Sequence, residues 1–132
     1  MRQLQCVVVT PEETLLDQQA EFVALPLFDG EIGVLPGRSP LIGRLGFGEM
    51  RIKGAAGTTR FYVEGGFVEV TGDVVSVLTN RAIPSGKLDE GVAREQLSTA
   101  RSRPANTPEL MALRDRAVAQ ARAEVRVAQR SR

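Results

Sequence analysis

A chain of 132 residues, 42% apolar and 25% charged, has the size and balance of one compact globular domain, or of one domain with a small appendage. No window approaches the ~18 continuous apolar residues that a helical bilayer span needs, which excludes an integral membrane protein of that kind. With no histidine and a single cysteine, the chain also lacks the means for an intramolecular disulfide, a structural zinc site, a Ser-His-Asp triad or a Cys-His dyad.

The N-terminus, MRQLQCVVVTPEE, has one arginine and an apolar run of only four residues, too little for the h-region of a secretory signal. The expectation is a protein made and kept in the cytoplasm. Cys6 falls in an alternating strand and reads as a small buried hydrophobe rather than a reactive thiol. The formal charge of +1 conceals an asymmetry. Residues 1 to 80 hold six Lys/Arg against ten Asp/Glu, and residues 81 to 132 hold eleven against six, so the halves carry −4 and +5. Eleven of the thirteen glycines precede Asn80. Two segments of different architecture explain both breaks.

The first segment reads as strands. QLQCVVV, EFVALPL, GEMRIK, RFYVEGGFVEV and DVVSVLT are short, rich in Val, Phe and Tyr, and bounded by turn signals such as Asp29-Gly30, Gly54, Gly57 and Thr71-Gly72-Asp73. Turns about every ten residues predict a small antiparallel sandwich or barrel. In GEMRIK, Met50 and Ile52 alternate with Glu49, Arg51 and Lys53, one set facing in and the other out. VVV and EFVALPL are apolar on both faces, so their second face needs a cover, either another sheet or another molecule. The stretch LFDGEIGVLPGRSPLIG, residues 27 to 43, sets Ile32, Val34, Leu35, Leu41 and Ile42 among turn residues, which means either inward-folding strands or an apolar face for a partner.

After Pro84-Ser85-Gly86 the period changes. Asp89 is a candidate N-cap, followed by Val92, Ala93, Gln96, Leu97 and Ala100 at helical spacing until Ser102-Arg103-Pro104. A second helix opens with Thr107 as N-cap, Pro108 in the first turn and Glu109 where its charge suits the dipole, and runs to about Arg130. The short break predicts an antiparallel αα-hairpin. Leu97, Ala100, Leu110, Leu113, Ala117, Val118, Ala121, Val125 and Ala128 form its expected buried face. An alanine methyl gains only ~0.8 kcal/mol on burial against ~1.5 to 3 for leucine, yet alanine favours helix by itself. The expectation is helices that persist alone but dock loosely, the other reading being a slender close-packed pair.

Chemistry is hard to place. Glu12-Glu13, Asp29/Glu31 and Asp89-Glu90 lie at turns or strand ends, where carboxylates cap and solubilise rather than pair for acid/base work. No phosphate-binding G-x-x-x-x-G-K-[ST] or helix-opening G-x-G-x-x-G occurs; Gly46-Phe47-Gly48 reads as a turn, and Gly65-Gly66 as a bulge or a close backbone approach. Arg114, Arg116, Arg122, Arg126, Arg130 and Arg132 suit a solvated face, a nucleic acid, an acidic protein surface or nucleotide phosphates, and Arg122, Arg126 and Arg130, four apart, make a basic stripe opposite the alanines that fits a long acidic groove better than a point site. Without aromatic residues after Phe67, single-stranded nucleic acid is a poor partner.

VVVTPEETLLDQQAEFVALPLFDGEIGVLPGRSPLI, then YVEGGFVEVTGDVVSVLTNRAI, then KLDEGVA and a helical hairpin, resemble the epsilon-subunit family of F-type ATP synthases over essentially the whole chain. The resemblance implies a ten-stranded antiparallel β-sandwich over residues 1–84 and a regulatory two-helix hairpin over residues 88–132. It further implies a non-catalytic rotor component of the central stalk that carries no cofactor of its own. Its sandwich would hold the gamma subunit to the ring of c subunits at the cytoplasmic face of the membrane. Its hairpin would be able to open towards the alpha and beta subunits and inhibit ATP hydrolysis. On this reading Val34, Leu35, Leu41 and Ile42 tuck into the sandwich, and turns at one end bring Asp29, Glu31, Arg38 and Ser39 to the c-ring. The alternatives from the residues alone are a free-standing sandwich adaptor whose basic tail binds nucleic acid or an acidic protein, and a small enzyme with an unrecognised carboxylate site.

Two departures from the family pattern matter. Arg38, in LPGRSP, stands where many members have histidine, so no titrating histidine acts there. Some relatives bind ATP in the folded hairpin through Ile/Leu-Asp-x-x-Arg-Ala; here Leu88-Asp89-Glu90-Gly91-Val92-Ala93 puts Val92 at the arginine. Asp89, Arg94, Arg122 and Arg126 are the residues left to such a site.

Overall fold

The computed structural model describes residues 2–130; Arg132, the last of the arginine series, lies outside the described residues. The chain divides into two compact units, Met1–Pro84 and Ser85–Arg132.

The first unit contains β1 (Leu4–Val9), β2 (Thr14–Ala20), β3 (Phe22–Leu27), β4 (Gly30–Val34), β5 (Leu41–Arg44), β6 (Phe47–Gly54), β7 (Gly57–Glu64), β8 (Phe67–Thr71), β9 (Val74–Leu78) and β10 (Ala82–Pro84). They form two five-stranded sheets, in the orders β2-β1-β9-β8-β5 and β10-β7-β6-β3-β4. Among the described residues seven of the eight strand pairings are antiparallel, as expected, but β1 and β9 run parallel. The whole remaining sandwich serves as the long crossover that a parallel pair requires. Inward residues alternate along every strand: Leu4, Cys6 and Val8; Val23 and Leu25; Met50 and Ile52; Val68 and Val70; Val75 and Val77 meet in one core.

The expected single strand RFYVEGGFVEV is two strands in different sheets, with Gly65-Gly66 as the crossing. Gly66 has φ 101°, and a Cβ there would overlap the carbonyl oxygen of Leu78, so only glycine lets the backbones approach. Gly46-Phe47-Gly48 is less of a turn than expected, because Phe47 and Gly48 already belong to β6. A Cβ at Gly48 would press on Pro26 of β3, which lies across it.

Glu49 corrects the outward expectation for GEMRIK, being only 4% exposed. It remains on the outer side of its strand, yet Arg60 at 3.0 Å and Arg51 at 3.9 Å lie over its carboxylate. The apolar outer face of β3 also has a cover within the unit. Phe22 rests on Gly33, and the Arg51–Glu31 pair joins β6 to β4 across β3, over the small Ala24.

The second unit opens with a 3-10 turn, Ser85–Lys87, followed by α1 (Glu90–Arg101) and α2 (Pro108–Arg130). Both N-caps match the sequence reading. Asp89 Oδ1 accepts the Val92 N–H at 3.1 Å, and Thr107 Oγ1 accepts the Leu110 N–H at 3.1 Å. Ala93, Ala100, Ala121, Val125 and Ala128 are buried, but Leu113 (58% exposed) and Val92 (49%) are not. The register of the pair explains Leu113. The Gln129 amide donates to Glu90 at 3.4 Å, and Arg101 shares a recess with Arg114, Val118 and Arg122, so α1 lies alongside residues from about 118 to 129. At ~1.5 Å per residue α2 is roughly 35 Å long and α1 about 18 Å, and the start of α2 overhangs.

Candidate docking surfaces

Two surfaces of the sandwich stand out. The first is the side on which both sheets terminate, in β4 and β5, joined by only the six residues 35 to 40. Asp29 and Glu31 lie at the start of β4, and Arg38 and Ser39 beyond its end, so the four spread along this side instead of gathering at one end. All four are exposed. Glu31 is not free: Arg51 donates to both its carboxylate oxygens, at 2.6 and 3.3 Å, and that bond holds the Arg51 guanidinium above its ordinary pKa. The backbone at Arg38 is fixed from the other sheet, because Asp73 Oδ1 accepts the Gly37 N–H at 2.8 Å.

Leu35 and Ile42 do not tuck into the sandwich, being 60% and 76% exposed, whereas Val34 is fully buried and Leu41 packs against the core. Strand parity separates Leu41 from Ile42: they are consecutive in β5 and face opposite ways. Leu35 lies just past the end of β4, where the pleat no longer directs it inward.

The second surface is the outer face of the β2-β1-β9-β8-β5 sheet. Register places Val9 beside Leu78, Leu78 beside Phe67, and Phe67 beside Arg44, one row across four strands. Phe67 and Leu78 are 60% and 53% exposed, and Phe28, 66% exposed, stands beneath the Arg44 guanidinium at 5.7 Å. A cleft of about 820 Å³ runs along this row, lined by Val9, Pro11, Arg44, Phe67, Leu78 and Asn80 among others. Isolated exposed apolar residues are ordinary, but a contiguous row of them marks an interaction face. This is the uncovered face of VVV that the sequence raised. Strand parity carries the signal for Phe67 and Leu78, which the sequence reading did not place on this face: Val68 and Val70 face in, so Phe67 shares the outward side with Glu69, and Leu78 shares it with Ser76.

Two of the four hairpin residues left to a nucleotide site are already engaged within α1. Asp89 is engaged as the α1 cap, and Arg94 Nε donates to Glu90 at 2.8 Å. Arg122 shares its recess with Arg101, Arg114 and Asp115, while Arg126 and Arg130 continue the exposed stripe. Among the described residues no cluster of acidic, cysteine or histidine side chains is arranged to hold a metal ion. Among those residues no helix is long and apolar enough to cross a membrane.

Residues 3–85 match the family model described as ATP synthase, Delta/Epsilon chain, beta-sandwich domain. The chain is 52% identical over 123 residues to the ATP synthase epsilon chain of Rhodopirellula baltica, covering 93% of this chain and 96% of that one. It is 49% identical over 90 residues to the epsilon chain of Janthinobacterium sp. (strain Marseille), covering 67% and 64% respectively. A chain in the mitochondrial ATP synthase of Euglena gracilis, solved with OSCP, F1 and c-ring, superposes with a TM-score of 0.83 at 21% identity over 92% of this chain and 78% of that one. A chain in the central stalk and c-ring structure of the Tetrahymena thermophila mitochondrial enzyme gives 0.77 at 10% identity, over 96% and 97%. The two structural likenesses speak to the fold; the family model and the curated relatives speak to descent, and by them this chain belongs to the epsilon-chain family of ATP synthase.

Proposed function

We propose that this chain is a non-catalytic rotor subunit of the central stalk, which holds the gamma subunit against the c-ring so that ring rotation reaches the catalytic subunits. The observation that carries the reading is the apolar row of exposed Phe67 and Leu78 with half-buried Val9, flanked by exposed Phe28 and Ile42, on a sandwich of the epsilon-chain family. A permanent rotor joint needs apolar area that stays covered through every turn, and gamma is the partner assigned to this row. The polar side carrying Asp29, Glu31, Arg38 and Ser39 is assigned to the c-ring, where charged and hydroxyl groups meet polar loops and fix orientation. The protein is then peripheral to the membrane, on its cytoplasmic face, through the assembly. The hairpin is assigned a regulatory role, extending its arginine stripe towards alpha and beta and restraining ATP hydrolysis.

Co-purification from membranes tests the joint. Phe67→Asp together with Leu78→Asp is expected to abolish recovery of gamma and c-ring with the tagged chain, while the isolated variant keeps its Tm within a few degrees because both residues are exposed. Undiminished recovery of gamma with that variant would overturn the assignment of the row. Removal of residues 88–132 is expected to raise ATP hydrolysis by the assembled enzyme; an unchanged rate would remove the regulatory role.

A further inference from the structure

Asp73 sits at the second central position of the two-residue turn between β8 and β9, with φ 64° beside Gly72 at 56°. Two successive left-handed residues make a type I′ turn, whose twist suits a hairpin and whose usual occupants are glycine and asparagine. Among the described residues Asp73 is the only non-glycine with positive φ. Its carboxylate is directed away from its own hairpin. Oδ1 accepts the Gly37 N–H at 2.8 Å and Oδ2 accepts the Arg2 Nε–H at 2.5 Å. The side chain is 17% exposed, although it belongs to a turn. Gly37, at φ 86°, follows Pro36 as the third residue of a type II turn would, and precedes Arg38. Arg2 lies over the same spot: a Cβ on Gly37 would stand 3.4 Å from its Nη1.

The residues 35 to 40 link the edge strand of one sheet to the edge strand of the other, and have no strand or helix hydrogen bonds of their own. A free connection of six residues would sample many shapes. We infer that Asp73 is a latch: its carboxylate fastens the Pro36-Gly37 turn to the β8–β9 turn and so sets the attitude of Leu35, Arg38 and Ser39 on the docking side. The latch itself is a property of the sandwich; its importance for the rotor rests on the assignment of that side to the c-ring. Asp73 is a positioning residue, acting through the Gly37 backbone and making no partner contact itself.

Two substitutions separate the latch from the turn that carries it. Asp73→Gly keeps the left-handed turn, which glycine adopts freely, and removes the carboxylate. Asp73→Asn keeps both the turn and an oxygen able to accept the Gly37 N–H. Amide exchange of the full chain is expected to be at least about ten-fold faster at Gly37 in D73G, unchanged at Val70 and Val75, and within about two-fold of the parent in D73N. Equal protection of Gly37 in D73G and the parent would overturn the latch. Faster exchange at Val70 and Val75 as well would also overturn it, because the residue would then be a fold determinant of the hairpin. In vesicles carrying the assembled enzyme, D73G is expected to lower ATP synthesis relative to ATP hydrolysis at least two-fold, with D73N restoring the ratio. An unaltered ratio alongside a released Gly37 amide would leave the latch standing and overturn the docking role of residues 35 to 40.

Discussion

Asp73 and Cys6 show how position decides what a titratable group does. The Gly37 amide, and then Arg2, hold the Asp73 carboxyl below its ordinary pKa of 3.8. A carboxyl with a depressed folded-state pKa stabilises the fold above its unfolded value and loses that contribution as pH falls through the folded one. The Tm difference between the parent and D73N is therefore expected to be constant above about pH 5 and to close as pH is lowered below 3.8, a trend that thermal scans across a pH series will check. Cys6 behaves oppositely: burial, and then the nearby Asp17 charge, push its thiol up to about 12. Thiol-labelling reagents are expected to modify Cys6 only at the rate of unfolding, with equal slowness at pH values on either side of an ordinary thiol pKa. Labelling of the native protein at a free-thiol rate would contradict that burial. Glu49 is the residue for which sequence reading was misled by charge. Its carboxylate can be nearly buried because Arg60 and Arg51 sit over it, and Arg60→Ala is expected to cost about 1 kcal/mol, measured by denaturant unfolding, since Arg60 is itself half exposed.

At the level of elements, the crossing at Gly65-Gly66 is the least replaceable connection in the sandwich. Gly66→Ala needs both a strained φ and room already filled by the Leu78 carbonyl, so a loss of more than about 3 kcal/mol is expected, read as a large drop in the denaturation midpoint. Gly72 also has positive φ, but a Cβ there would meet nothing within 4 Å, so Gly72→Asn is expected to be nearly neutral. The hairpin is uneven along its length. Only the stretch of α2 beside α1 buries its alanines, and the overhanging start leaves Met111 and Leu113 exposed at 46% and 58%. Amides of residues 111 to 117 are expected to exchange faster than those of 121 to 128, because their hydrogen bonds open without breaking packing. Uniform protection along α2 would mean that the overhang is stabilised by something beyond helix propensity. Looseness is therefore expected of the overhanging start of α2 rather than of the whole hairpin.

At the level of the whole molecule, the ATP question separates the resemblance from this particular chain. Val92 replaces the motif arginine, and Asp89 already serves as a cap. Calorimetric titration of the chain with ATP is expected to give no saturable heat, whereas a 1:1 isotherm would show that Arg122 and Arg126 suffice. Much of the fold is legible in the amino-acid order: turn spacing and β-branched runs point to a small antiparallel sandwich or barrel, which the family resemblance narrows to a sandwich, the glycine and charge breaks near Asn80 with the change of period mark a second, helical segment, and both caps are readable from single residues. β2, β4, β5 and β10 were not separately legible from periodicity, since short strands between turns carry too few residues to show a period. The docking side was named by residue, but its shape was not, because a linear stretch does not reveal that Asp29 and Arg38 fall at opposite ends of one strand. The amino-acid order by itself determined which residues alternate and where helices begin, since these depend on neighbours one to four positions apart. Only the tertiary structure decided that Glu49 is buried, that Phe67, Leu78 and Val9 form one row, and that Asp73 reaches Gly37, for each depends on strands brought together from distant parts of the chain.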